Sequence, residues 1–299
     1  MNAPERPLRH EGAMTDTPTS WKNISVFLDD TPQGEAVGDQ AAALARRFGA
    51  HLIGIHGIDG IPGDSPADSF VRGQQAIGDV IARHQAAEKA QALAVARRFA
   101  RLAAKHDIGA EFRVIRWGLG EEEAILNSLH CDLVVLGHPT PHGLPGSWTT
   151  ERLGMASGVP FLLIPDGWQG ERVGDRVLVA WNGSREARRA IADAMPLLCA
   201  AQSVTVLVVD PARTPEKYGE NPGADITTHL ARHGVRVDLL QVESKGAPVA
   251  DVIGARAMER EADLIVIGAY SHARSAEMIF GGVTRALLAH MPVPALVSR

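Results

Sequence analysis

Runs of aliphatic and β-branched residues alternate along the chain with longer segments whose apolar positions recur at helical spacing. The apolar runs fall at 23–29, 51–58, 110–116, 132–137 and 160–165. A second set follows at 176–182, 203–209, 235–242, 263–268 and 294–298. They are nearly continuous in Val, Ile and Leu, the pattern of parallel strands covered on both faces. Between them Val37, Ala41, Leu44, Ala45 and Phe48 share one helix face, as do Ala187, Ala190, Ile191, Ala194 and Leu198. Strand and helix in alternation predict an open, mostly parallel sheet made by right-handed crossovers. Such a sheet binds ligands at the carboxyl ends of its strands, near a topological switch point.

The pattern occurs twice. Asp132-Leu-Val-Val-Leu-Gly137 returns as Asp263-Leu-Ile-Val-Ile-Gly268, and Val159-Pro-Phe-Leu-Leu-Ile164 as Val293-Pro-Ala-Leu-Val-Ser298. Ile24-Ser-Val-Phe-Leu-Asp29 returns more loosely as Val177-Leu-Val-Ala-Trp-Asn182, in the same order within its half. The chain is a tandem duplication. Its expected divisions are a disordered tail over 1–21, a first domain over 22–166, a short polar linker over 167–175 and a second domain over 176–299. The first half is longer between its second and third strands, where Ser69 to His106 predicts one very long helix. That helix is expected to pack along its own half; an arm laid across the other half is the alternative.

Composition narrows the partners. The 299 residues are 45% hydrophobic and 22% charged, a globular balance with material for two cores. A net charge of -5 argues against nucleic acid, which selects a basic face. Cys131 and Cys199 are too few for a disulfide framework, and no apolar run approaches membrane-spanning length. A soluble cytoplasmic protein is the expectation.

Chemistry concentrates in Gly268-Ala-Tyr-Ser-His-Ala-Arg-Ser-Ala-Glu-Met-Ile-Phe-Gly-Gly-Val-Thr284. Together with Val177-Leu-Val-Ala-Trp-Asn-Gly-Ser-Arg-Glu-Ala187 and Val293-Pro-Ala-Leu-Val297, this stretch resembles the universal stress protein domain, and both halves share the likeness in order and spacing. The resemblance implies two tandem doubly wound α/β domains, each a five-stranded parallel sheet of the adenine-nucleotide-hydrolase-like type. It implies that they pair through their last strands about a pseudo-two-fold axis. It further implies a stress-response role, and binding of ATP or AMP in some members, with no metal beyond nucleotide-bound Mg.

The nucleotide-binding members carry glycine, two residues, glycine, nine residues, then glycine followed by Ser or Thr. Gly268 and Gly281 keep two of these positions, whereas Ser271 and Gly282 replace the other two. Asn182 stands where the family has Asp. The residues that the resemblance assigns to a ligand are therefore Asn182, Gly183, Val209, Gly268, Ser271, His272, Arg274, Gly281, Gly282 and Thr284. In the first half Thr140 and Thr150 fill the later glycine positions, and Pro139, Pro141 and Pro145 remove backbone donors.

Physically, Gly281-Gly282 before a final helix with Val283, Leu287 and Leu288 inward would leave first-turn amides free for an anion. His272 and Arg274 would add positive charge, and Thr284 a hydroxyl. The loop either cradles a phosphate or only connects, with the glycines capping the helix. Asn182-Gly-Ser184 is first a turn and helix-start signal, and second a ligand contact. Asp29-Asp30 suit a loop before a helix, and His130, Cys131, His138 and His142 do not converge as zinc ligands would. Three functions stay open: a non-catalytic nucleotide-binding stress protein, a slow ATP hydrolase or nucleotide-handling enzyme, and a ligand-free interaction module. Unknown protein partners and a further homodimer go with the first.

Overall fold

The computed structural model describes residues 20–59, 74–117, 122–139, 143–144, 153, 157–213, 221–269 and 281–299. In the first half β1 (Asn23–Phe27), α1 (Pro32–Phe48), β2 (His51–Asp59), α2 (Gln74–His106), β3 (Ala110–Trp117), α3 (Glu122–Leu129), β4 (Leu133–His138) and β5 (Phe161–Pro165) follow in order. The second half repeats them as β6 (Arg176–Ala180), α4 (Arg185–Ala200), β7 (Ser203–Val209), α5 (Ala224–Arg232), β8 (Val237–Val242), α6 (Val249–Glu259), β9 (Leu264–Gly268), α7 (Gly282–Ala289) and β10 (Ala295–Ser298).

The strands form one ten-stranded sheet in the order β3-β2-β1-β4-β5-β10-β9-β6-β7-β8. Neighbours within each half are parallel, and the halves meet where β10 runs antiparallel to β5, with Ala295, Leu296 and Val297 opposite Leu163, Leu162 and Phe161. Alternation along the strands divides the core. Ile24, Val26, Leu162, Val177 and Leu296 face α1, α2, α4 and α5 on one side. Phe27, Phe161, Leu163, Leu178, Ala295 and Val297 face the other side, with Ile253, Leu287 and Leu288 from α6 and α7. Both layers run through both halves without a break.

The repeated Asp that precedes β4 and β9 explains itself in this frame. Asp132 accepts the N–H groups of Lys22 and Asn23, and Asp263 those of Gly174, Asp175 and Arg176. Each carboxylate thus ties the start of its half's first strand to the strand beside it. Burial pushes the Asp263 carboxyl up from its ordinary value, against the lowering effect of those three N–H groups.

Two residues assigned to the tail belong to the fold. Trp21 is buried edge-on against Phe48, their ring centroids 5.1 Å apart, and Ser20 Oγ donates to the Phe48 carbonyl. The long helix α2 packs against α1, β2 and β3 of its own half. Its 33 residues span about 50 Å, more than the nine-residue β2 can cover at about 30 Å. Val95 and Phe99 are buried, and most residues from Ala82 to Ala94 are exposed. Gly54 in β2 makes room for Phe99, whose ring would lie 2.7 Å from a Cβ there. Lys105 and His106 at the helix end both meet the Asp39 carboxylate of α1. Residues 69–73, which the pattern includes in this helix, lie outside the described residues. Among the described residues no helix is long and apolar enough to cross a membrane.

The connection between the halves is held in place. Arg47 of α1 donates to the carbonyls of Val173, Gly174 and Ala200 and pairs with Asp175 at 3.3 Å. Gln40 donates to the Gly170 carbonyl, and Val173 is buried. At the other end of the junction His138 Nε2 lies 2.8 Å from the Leu288 carbonyl of α7. A carbonyl only accepts, so this nitrogen carries the proton.

Arg47→Ala is expected to destabilise the chain by about 2 kcal/mol, the scale of hydrogen bonds to a charged donor, measured by urea unfolding. A second expectation concerns acid. Burial alone would raise the Asp39 carboxyl, but the hydrogen bonds and charges of His106 and Lys105 outweigh it and hold it below 3.8. Its contribution is therefore present above the unfolded value and lost as pH falls through the folded one. Asp39→Asn should cost stability at pH 6, and the gap to the parent protein should close below about pH 3.8. A gap that widens on acidification would contradict this sign.

Candidate functional site

In the second half β6 has β7 on one side and β9 on the other, so the switch point lies between the ends of β6 and β9. Gly268 ends β9 there, between the starts of two helices. A Cβ at Gly268 would stand 2.5 Å from the Ala187 amide nitrogen and from the Glu186 carbonyl carbon. Glycine is what lets the strand end reach the first turn of α4. From the opposite face Thr284 Oγ1 donates to the Gly268 carbonyl over 3.1 Å, fixing the first turn of α7.

The two helix starts are not equivalent. At α4, Ser184 caps the helix by accepting the Ala187 N–H at 3.1 Å, and Glu186 places a buried carboxylate in the first turn. Burial alone would raise that carboxyl. The hydrogen bond and charge of Arg185, with the Glu186 N–H and the Ser184 hydroxyl, hold it below the usual range, so it is ionised at neutral pH. An acid therefore already occupies this positive helix end. At α7, Gly281 is the N-cap and makes no side-chain cap bond, and the first turn holds no acidic residue. Gly282 is exposed, and a Cβ there would meet nothing within 4 Å. The first N–H groups of a helix have no intrahelical acceptor, and among the described residues no side chain caps those of this end.

Around this centre, Asn182 is exposed two residues beyond β6, and its Oδ1 accepts the Ser184 N–H at 3.2 Å. Gly183 adopts φ 67, the left-handed turn that follows. Val209 ends β7, half-buried and paired with Val242 of β8. Beyond it a cleft of 420 Å³ opens at the ends of β7 and β8, lined by Pro211, Ala212 and Val242 with Asp210, Glu243 and Lys245. Ser271, His272 and Arg274 lie outside the described residues.

The expectation for the last helix needs correcting at two points. Val283 is 41% exposed, not inward, because Thr284 is the buried residue of that turn. The Thr284 hydroxyl is committed to Gly268 rather than presented at the surface. Sequence reasoning also missed Glu186, although an acid two residues after a capping Ser is a first-turn signal.

The first-half crest is closed differently. Asp29 accepts the Thr31 N–H and hydroxyl, at 3.0 and 2.5 Å, and so shapes the start of α1. Gly143, at φ 70, lies directly on the end of β1, where a Cβ would come 2.3 Å from the Leu28 carbonyl oxygen. Its own carbonyl accepts the Gly57 N–H. Residues 140–142 and 145–150 of that loop lie outside the described residues. Among the described residues no three His, Cys, Asp or Glu side chains assemble as a metal-ligand set.

The universal stress protein family model matches residues 20–165 and again 174–299. The chain belongs to the universal stress protein family. Two complete copies account for the duplicated pattern, and they pair within one chain. A universal stress protein from Archaeoglobus fulgidus DSM 4304 superposes with a TM-score of 0.68 at 17% identity, over 93% of this chain and 98% of that one. A functionally unknown protein from Pseudomonas aeruginosa PAO1 gives a TM-score of 0.57 at 16% identity, over 93% and 92%. At these identities the likeness is one of fold. No curated protein matches the chain in sequence.

The different duties of the glycines give a paired expectation. Gly268→Ala should cost about 1–3 kcal/mol, because its methyl meets backbone that cannot yield. Gly282→Ala, in open space, should stay within about 0.5 kcal/mol of the parent protein. Thermal or urea unfolding of the two variants side by side checks both.

Proposed function

We propose that this universal stress protein binds a nucleotide in its second half, with the phosphate at the start of α7, and acts by binding rather than turnover. The observation that carries the reading is the contrast between the two helix starts beside Gly268. The start of α4 is filled by Ser184 and Glu186, whereas among the described residues that of α7 has Gly281 with no side-chain cap and Gly282 with nothing near its Cβ position. ATP and AMP are the ligands that the family resemblance implies, with Mg carried by the nucleotide and no metal held by the chain itself. Asn182, Gly183, Val209 and Gly268 would frame the ligand, and Ser271, His272 and Arg274 would approach from the loop. The first half contributes the paired fold, since Gly143 lies over the end of its first strand. The protein would work in the cytoplasm as a stress-response component, through protein partners or a further homodimer.

The test is ligand-linked stability. ATP or AMP at about 100 times its Kd should raise unfolding stability by about 2.7 kcal/mol. Gly282→Asp should abolish that gain while leaving the unliganded protein as stable as before, because a carboxylate suits a helix start but occupies the anion's place. Absence of any shift with ATP, AMP or inorganic phosphate would overturn the proposal.

A further inference from the structure

In the second half a histidine stands where its charged form has no partner. His229 lies in the last turn of α5, and its ring meets that of His233 edge-on, with centroids 4.7 Å apart. Its Nε2 is buried and finds no hydrogen-bond partner among the described residues. A neutral imidazole can leave that nitrogen as a lone pair, whereas the imidazolium is a donor at both nitrogens. Protonation therefore places an N–H in a buried position without an acceptor, which is costly.

The surrounding charges act in the same direction. Arg188 of α4 faces the ring from the neighbouring helix, and His233 and Arg232 act on it from the end of α5. Asp225, one turn earlier on α5, is exposed. Cys199 of α4 closes this end, its Sγ 3.6 Å from the His233 carbonyl oxygen. Burial first, then the charges of Arg188, His233 and Arg232, pull the His229 imidazole below its ordinary value. A helix C-terminus favours a cation, but Arg232 already supplies one in this turn.

The helix that carries His229 is lightly held. Of the nine residues of α5, Ile226 and Leu230 are the buried ones. A short element with two apolar anchors opens locally more readily than the sheet beneath it. Opening would return the imidazole to water and draw it away from Arg188, which belongs to another helix. We infer that α5 is an acid-responsive element, released from the face of β8 when His229 takes up a proton. The open form binds that proton more tightly than the docked one. Docking is therefore untouched well above the ordinary value of 6.5 and weakens as pH falls through it.

Amide hydrogen exchange on the full chain, read by mass spectrometry at about pH 7.5 and about pH 5.5 and corrected for intrinsic rates, tests this. Protection of residues 224–233 should fall by up to about tenfold at the lower pH, the ceiling for one imidazole about a unit below its open-form value. Protection of α4 should change by less than about twofold over the same range. His229→Gln, neutral at both pH values, should keep α5 within about twofold between them, whatever its absolute protection. A fall of less than about twofold for α5 in the parent protein, a matching fall in α4, or a larger fall in His229→Gln overturns the inference.

Discussion

The antiparallel pairing of β5 with β10 is the contact on which the rest of the molecule depends. Each half on its own would end in an apolar strand with one unpaired edge, an arrangement that invites uncontrolled pairing with other chains. Leu162, Leu163, Ala295, Leu296 and Val297 are fully buried in the joined sheet. Because side chains alternate, this one junction extends both core layers across the molecule at once: Leu162 and Leu296 into one, Leu163, Ala295 and Val297 into the other. The remaining inter-half contacts serve it. Arg47 gathers three carbonyls at one end, and His138 meets the Leu288 carbonyl at the other.

The same geometry explains why the two crests have diverged without loss of the fold. What holds a half together lies at the amino ends of its strands and in the sheet. Asp132 and Asp263 tie first strands there, well away from the carboxyl ends. Crest side chains that make no such ties are free to change. In the first half Gly143 settles onto the end of β1, and in the second Gly268 is clasped between α4 and α7. In the second half the two helix starts also differ, Ser184 and Glu186 standing at one and Gly281 and Gly282 at the other.

Much of the architecture is written plainly in the chain. The ten apolar runs predict the ten strands because a doubly covered parallel strand needs unbroken Val, Ile and Leu, and the repeated Asp-Leu-x-Val-x-Gly segments announce the duplication. The antiparallel junction is not in that pattern; it came only through the family resemblance, since a hydrophobic run carries no direction of pairing. The register of α7 differs by one position from the apolar pattern. Apolarity favoured Val283 inward, but the hydrogen bond from Thr284 to the Gly268 carbonyl outweighs it and turns the helix accordingly. Trp21 stands alone beyond the first strand run, and its partner Phe48 is distant in sequence, so the pattern gives no sign of its burial. At the site, position in the pattern marks Gly268 and Asn182 but not what they do: a glycine needed for clearance looks the same in sequence as one needed for a turn, and the orientation of an amide follows from a neighbour's N–H.

Joining the two halves by a peptide chain changes their arithmetic. Two separate domains that pair through an edge strand separate on dilution, and their assembly follows the cell's supply of protein. With the connection from Asp166 to Asp175 fastened along α1, the partner is always present at an effective concentration on the order of millimolar. Pairing then ceases to be a regulated event. Freed from serving both sides of a symmetric interface, the two copies can diverge, as the segments after β4 and β9 do in sequence. The outcome is a paired fold whose assembly does not vary with protein concentration.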